Sequence, residues 1–374
     1  MMKNILSTSF LLILAILISC EKKDAKINEE IGTADLQQKW KFVAFGDCRG
    51  TSEGSGVNVE ILDKLVKQIV QDSPDFVLFT GDICYGHARR KELGDSLALV
   101  KLQQEMMTFR NTIEPLYQND IVVYLVRGNH ETTQYLPDSA GTPAHRPIWP
   151  ETKKVWDQVF SGKYAMPQNG PANEKNVTFS VEHKNVLIVG LDLYTAADGT
   201  VANLDGSIPK PATKRVNQVW LDSILAKNTS SHIFSFTHEP AFKVDHKDCM
   251  HGDMSYGLDY SAHRDQFWKS MAKAGSRVYF CGHDHGFAHA RIDDGDGDES
   301  NDMHQVVVGT AGAGKNISPE YDGYNGGYTP QPVSTSKDFG YSVVEIAGDT
   351  ATVSYKYLEE GSFSERDVLK YTAN

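Results

Sequence analysis

Cysteine is scarce in this 374-residue chain: Cys20, Cys48, Cys84, Cys249 and Cys281 stand at no spacing that reads as a disulfide framework or a zinc–thiolate pair. Positive charge is also short, with 37 Lys and Arg against 49 Asp and Glu and a net charge of −12. That balance argues against broad affinity for nucleic acid, and no nucleic-acid partner is expected. The longest apolar run falls short of the ~20 residues that a bilayer-spanning helix needs. There is no internal repeat, and no long linker after residue 40. What is present is a hydrophobic content of 40%, enough for a sizeable core, and a length that suits one large domain or two ordinary ones.

The N-terminus stands apart from the rest. Lys3 precedes an apolar stretch from Ile5 to Ile18, followed by Ser19-Cys20, the layout of a secretory signal. The ending "LISC" resembles the lipobox of bacterial lipoproteins, which implies that Cys20 becomes the lipidated first residue of an exported chain. Acyl chains on Cys20 would make the lipid bilayer a partner and hold the protein in the periplasm or at the cell surface. The expected organisation is a signal peptide over 1–20, a charged and apolar-poor tether over 21–38, and one folded domain over 39–374 with a β-rich C-terminal part. Export permits disulfides, and the sequence leaves their pairing open.

Five short apolar runs share one design. "WKFVAFGD" ends at Asp47, "DFVLFTGD" at Asp82, and "IVVYLVRGNH" at Asn129-His130. "HIFSFTH" ends at His238 and "RVYFCGHDH" at His283 and His285. Each is the pattern of a strand buried on both faces. Metal-capable side chains follow at once, and ligands of α/β sheets bind beyond the carboxyl ends of strands.

Between these runs lie helical stripes: Ile61, Leu62, Leu65, Val66 and Ile69, stopped by Ser73-Pro74; Leu99, Leu102, Met106, Phe109, Ile113 and Leu116; and Val216, Val219, Trp220 and Ile224. They read as faces packed on the sheet. The last quarter is different, with "HQVVVGTAG", "FGYSVVEIAG" and "TATVSYKYL" reading as strands broken by glycine. "DDGDGDES" (293–300) begins like a calcium loop but has Glu299 at the sixth position and Gln305 at the twelfth. A solvated hairpin turn is the preferred reading.

Carboxylate, amide and imidazole together suit iron, manganese or zinc. Two such ions ~3.5–4 Å apart need a bridging carboxylate, and a paired-metal site is suited to phosphoryl chemistry. The ordered set "GD", "GDICYG", "GNHE", "TH" and "GHDH" resembles the calcineurin-like metallophosphoesterase superfamily over residues 46–287. That resemblance implies a four-layer α/β/β/α sandwich of two mixed sheets flanked by helices, with the metal site at strand C-terminal ends. It implies Asp47 and His285 on a first metal, Asn129, His238 and His283 on a second, and Asp82 bridging them. His130 would stabilise the transition state or protonate the leaving oxygen.

Many members of this superfamily carry "DxH" in the first motif, where this chain has Arg49. A guanidinium cannot coordinate a metal. In the purple acid phosphatase branch the first motif lacks that histidine and the second reads "GDxxY". "GDICYG" matches it, which implies Tyr85 as a tyrosinate ligand of ferric iron, with Fe, Zn or Mn as the divalent partner. Two divalent ions are the alternative. The resemblance is partial, since that branch usually has Gly where Arg49 stands, and there is no room for the N-terminal β-domain of the plant enzymes. Arg49 suits bidentate binding of a phosphate or a salt bridge. His246 and His251, on the loop after His238, are candidate substrate contacts.

The reading that results is an exported binuclear phosphomonoesterase acting on a small phosphorylated substrate through a metal-bound hydroxide. A phosphodiesterase or nucleotide pyrophosphatase of the same superfamily is the alternative. A non-catalytic surface lipoprotein is a rival from another class. Substrate identity and oligomeric state are not set by the sequence.

Overall fold

Strand β1 (Trp40–Phe45) is apolar at every position but Lys41, because both of its faces are covered. On one side Phe42 meets Phe234 of a second sheet, with ring centroids 5.1 Å apart. On the other side Phe45 packs on Phe79, and Phe79 on Phe109 of a helix, each at 4.9 Å. The computed structural model describes residues 39–86, 94–133, 149–195, 215–250, 252, 261–323 and 325–373. Trp40–Asn374 forms one compact unit.

The remaining strands are β2 (Phe76–Phe79), β3 (Val122–Leu125), β4 (Phe179–His183), β5 (Val186–Gly190), β6 (His232–Phe236), β7 (Val278–Cys281), β8 (Phe287–Asp293), β9 (Met303–Val308), β10 (Thr329–Ser336), β11 (Gly340–Ala347), β12 (Thr350–Glu359) and β13 (Ser362–Thr372). They form a six-stranded sheet, β13-β12-β11-β1-β2-β3, and a seven-stranded sheet, β10-β8-β9-β7-β6-β5-β4. Both are mixed: β1, β2 and β3 run parallel while β11 joins β1 antiparallel, and β5, β6, β7 and β9 run parallel with antiparallel strands outside them. Helices Val59–Asp72 and Asp95–Thr112 contribute to the core of the first sheet, and Gln218–Leu225 and Ser261–Lys273 to that of the second. The result is the four-layer α/β/β/α sandwich.

Local chemistry sets the helix ends. Asn58 caps Val59–Asp72 by accepting from the Ile61 N–H at 3.3 Å, and Ser73 ends that helix in the left-handed conformation just before Pro74. Leu102, Met106, Phe109, Ile113 and Leu116 are fully buried. One expectation needs correction: Val219 is 82% exposed, so it is not part of a buried face. The helix begins only at Gln218 and buries Leu221, and at 100° per residue Val219 lies on the side away from it. "DDGDGDES" is the loop of the β8–β9 hairpin. Its N–H groups at Gly295, Asp296, Asp298 and Ser300 are each accepted by the Asp two residues earlier.

The tips of β2 and β3 are joined by a single buried carboxylate, that of Glu131 in "GNHE". It accepts backbone N–H groups from Gly128 at 2.7 Å, Asp82 at 3.0 Å and Cys84 at 3.3 Å. Burial and the nearby Asp82 charge push Glu131 up to about 8, with those donors acting the other way. Glu131→Ala leaves three buried donors without their acceptor and should destabilise the fold by about 3 kcal/mol. The readout is a lowered urea midpoint at unchanged m-value.

Candidate metal centre

Six of the strand-tip residues converge where the two sheets meet. Asp47, Asp82 and Asn129 follow β1, β2 and β3 of the first sheet, and His238, His283 and His285 follow β6 and β7 of the second. Asp47, Asp82 and His283 all have positive φ, at 62°, 50° and 69°, so the chain turns sharply as it leaves each strand. Glycine precedes each for steric reasons that are plain at Gly282, where a Cβ would lie 2.1 Å from Asp47 Oδ2. At Gly128 a Cβ would lie 2.2 Å from Asp82 Oδ1.

His238 shows what the arrangement is built for. Its Nδ1 lies 2.8 Å from the Thr80 carbonyl, which can only accept, so Nδ1 carries the hydrogen and Nε2 is bare. That Nε2 faces Asn129 Oδ1 at 3.1 Å, Asp82 Oδ1 at 3.3 Å and His283 Nδ1 at 3.3 Å. Burial holds His238 below its ordinary pKa and so favours the neutral ring. Burial would lower His283 as well, but the Asp248 carboxylate, 3.3 Å from Nε2, outweighs it and pushes that group up to about 10. A metal binding at His283 Nδ1 would displace that proton, and a carboxylate behind a ligating imidazole is a common metal-site arrangement. Oxygen and nitrogen acceptors meeting in this way fit a cation of the iron, zinc or manganese type.

Donor atoms of Asp47, Asp82 and His238 lie within 4.8 Å of one another, close enough to share a cation. Asp47 accepts the His283 N–H on both carboxylate oxygens at 3.1 Å, and its Oδ1 is 4.0 Å from His285 Nε2. Burial and the Asp82 charge push Asp47 well above the usual carboxylate range. Burial acts on Asp82 in the same direction, but His130, His238 and Arg49 overcome it and hold that carboxyl low. The Arg49 guanidinium spans Asp82 Oδ2, 3.7 Å from Nε, and His285 Nε2, 3.2 Å from Nη2. Burial and that positive charge bring His285 down to about 3.

His130 occupies the short helix Asn129–Thr132 and is buried. Its Nδ1 donates to the Tyr85 carbonyl at 2.5 Å, leaving Nε2 3.7 Å from Asp82 Oδ2. Tyr85 is half-buried, with its ring edge-on to His130 at a centroid distance of 6.1 Å. His246 sits beside the cluster, its ring 4.7 Å from that of His283. His251 and Cys20 lie outside the described residues.

Sequence reasoning passed over several supporting groups. Glu131 and Asp284 were in view inside "GNHE" and "GHDH", but Asp82, Cys84 and His246, which they hold, lie far along the chain. Arg127 and Asp192 form a buried bidentate pair at 2.9 and 2.6 Å that joins the tips of β3 and β5. An apolar run ending in Arg and another ending in Asp were the only available signals.

The "Calcineurin-like phosphoesterase" family profile matches residues 34–287. No match was found among curated proteins. Among solved structures, the fold is similar to a purple acid phosphatase from seeds of yellow lupin (Lupinus luteus), with a TM-score of 0.58 and 16% identity over 90% of this chain and 54% of that one. The chain thus spans about half the length of the lupin enzyme. It is also similar to PhoD (TM-score 0.58, 11% identity, 90% of this chain and 72% of that one) and to a dimetal phosphatase from Danio rerio (TM-score 0.52, 12% identity, 90% and 99%). With the match extending from the first motif to the last of the strand-tip histidines, this chain belongs to the calcineurin-like phosphoesterase family.

Proposed function

We propose that this protein is an exported phosphomonoesterase that uses two metal ions. One observation carries the reading: Asn129 Oδ1, Asp82 Oδ1 and His283 Nδ1 all lie 3.1 to 3.3 Å from the bare Nε2 of His238. Asn129, His238 and His283 would hold one ion, Asp47, Tyr85 and His285 the other, and Asp82 both. Such a pair supplies charge for phosphoryl oxygens and lowers the pKa of water towards neutrality.

The other tasks fall to the side chains. His130, its Nδ1 fixed by the Tyr85 carbonyl, offers Nε2 to the substrate and hands a proton to the leaving oxygen. Arg49 binds a non-bridging phosphoryl oxygen, a role that a guanidinium performs without changing its charge. His246 and His251 contact the substrate from the loop after His238. Tyr85 takes the ligand role that Arg49 cannot fill, and ferric iron is the ion that a phenolate favours. The purple acid phosphatase and dimetal phosphatase folds support this reading.

Metal-loaded protein is expected to turn over 4-nitrophenyl phosphate faster than bis(4-nitrophenyl) phosphate. His130→Ala should lower kcat by about 10²-fold or more with metal content unchanged. The reverse preference would make the protein a diesterase, and no turnover of any phosphoester would favour a binding role.

Iron-loaded protein should be purple from tyrosinate-to-iron charge transfer, and Tyr85→Phe should abolish the band. A colourless and fully active zinc or manganese protein would remove Tyr85 from the site.

No described helix is long and apolar enough to cross a membrane. The proposed anchor is the lipid on Cys20, so Cys20→Ala should abolish incorporation of labelled palmitate and release the protein from the membrane fraction.

A further inference from the structure

We propose that Asp284, the residue between the strand-tip histidines His283 and His285, is a positioning residue that presents His246 to a phosphoryl oxygen of the substrate. This deepens the phosphoesterase reading and rests on it. Asp284 is 1% exposed, and a carboxylate so buried must be compensated by hydrogen bonds or charge. The neighbouring His283 supplies positive charge, and the hydrogen bonds come from one short stretch of another loop. Oδ1 accepts the His246 N–H at 2.8 Å and lies 2.5 Å from His246 Nδ1, and Oδ2 accepts the Asp245 N–H at 3.2 Å.

The chemistry of these contacts fixes the imidazole. An ionised carboxylate only accepts, so His246 Nδ1 carries a hydrogen and Nε2 is the ring nitrogen left for a ligand. The ring lies 4.7 Å from that of His283 and 5.8 Å from that of His285, centroid to centroid. Its side chain is nevertheless 38% exposed, so it borders both the metal ligands and solvent. A residue flanked by two metal-binding histidines thus sets the tautomer of a third histidine at the mouth of the site. The same three side chains, Asp245, His246 and Asp284, are also close enough to share a cation, which makes a third metal the competing outcome.

The test uses the full chain loaded with diamagnetic zinc and labelled with ¹⁵N-histidine, with His246 signals assigned through His246→Gln. Wild type should show His246 protonated at Nδ1, and Asp284→Val should lose that preference. In kinetics, Asp284→Val and His246→Gln should each raise KM and the inhibition constant of inorganic phosphate about tenfold, roughly the effect of one hydrogen bond to a charged group. The effect on kcat should be smaller and the metal content should stay unchanged. The double variant should be no worse than either single one. Asp284→Asn, whose side-chain oxygen still accepts, should keep most of the wild-type affinity, and it serves if the valine variant does not fold. An Nε2-protonated His246 in wild type, effects that multiply in the double variant, or a third equivalent of metal lost in Asp284→Asn would each overturn the proposal. If wild type hydrolysed no phosphoester the function reading would fail, while the tautomer measurement would still decide what Asp284 does.

Discussion

Burying the Asp82 carboxylate at the junction of two sheets obliges its surroundings to supply positive charge and hydrogen-bond donors. The His130 N–H reaches Oδ1 at 3.1 Å, and Arg49 and His130 Nε2 face the other oxygen. Its own backbone N–H is held by Glu131, which also holds the backbone of Gly128. The loop after β2 and the loop after β3 therefore cannot move independently. His130, His238 and Arg49 are all placed against this one carboxylate.

The sandwich divides the labour. The first sheet brings most of the oxygen donors, in Asp47, Asp82 and Asn129, and the second brings three imidazoles. Fixing these groups relative to one another requires that the sheets do not slide. Stacked aromatics such as Phe287 on Tyr355, at 4.1 Å, fill the space between them. The Arg127–Asp192 pair ties their tips a few residues from Asn129. A buried ion pair of this kind contributes geometry more than stability.

The strand tips were legible because an apolar run that stops at Asp or His is a local pattern. Helix existence was legible for the same reason, although Val219 shows that a stripe of apolar residues does not fix where a helix starts. What could not be read was anything depending on a partner distant in sequence. Glu131, Asp248 and Asp284 are ordinary acidic residues in a chain rich in them. Only the fold brings them against Cys84, His283 and His246. Tyr85 is intermediate: its spacing from Asp82 was visible, whereas the use of its backbone carbonyl to orient His130 was not.

The left-handed backbone at Asp47, Asp82 and His283 bears on how the site can be dissected. Aspartate tolerates that conformation better than most residues, whereas alanine has no side-chain polar group to offset it. An alanine at position 47 or 82 would remove a carboxylate and strain the turn at once, and lost activity could not be traced to either. Asparagine keeps the turn and changes the charge, so it separates ligand chemistry from backbone geometry. At position 283, where a histidine itself adopts the conformation, asparagine serves the same purpose.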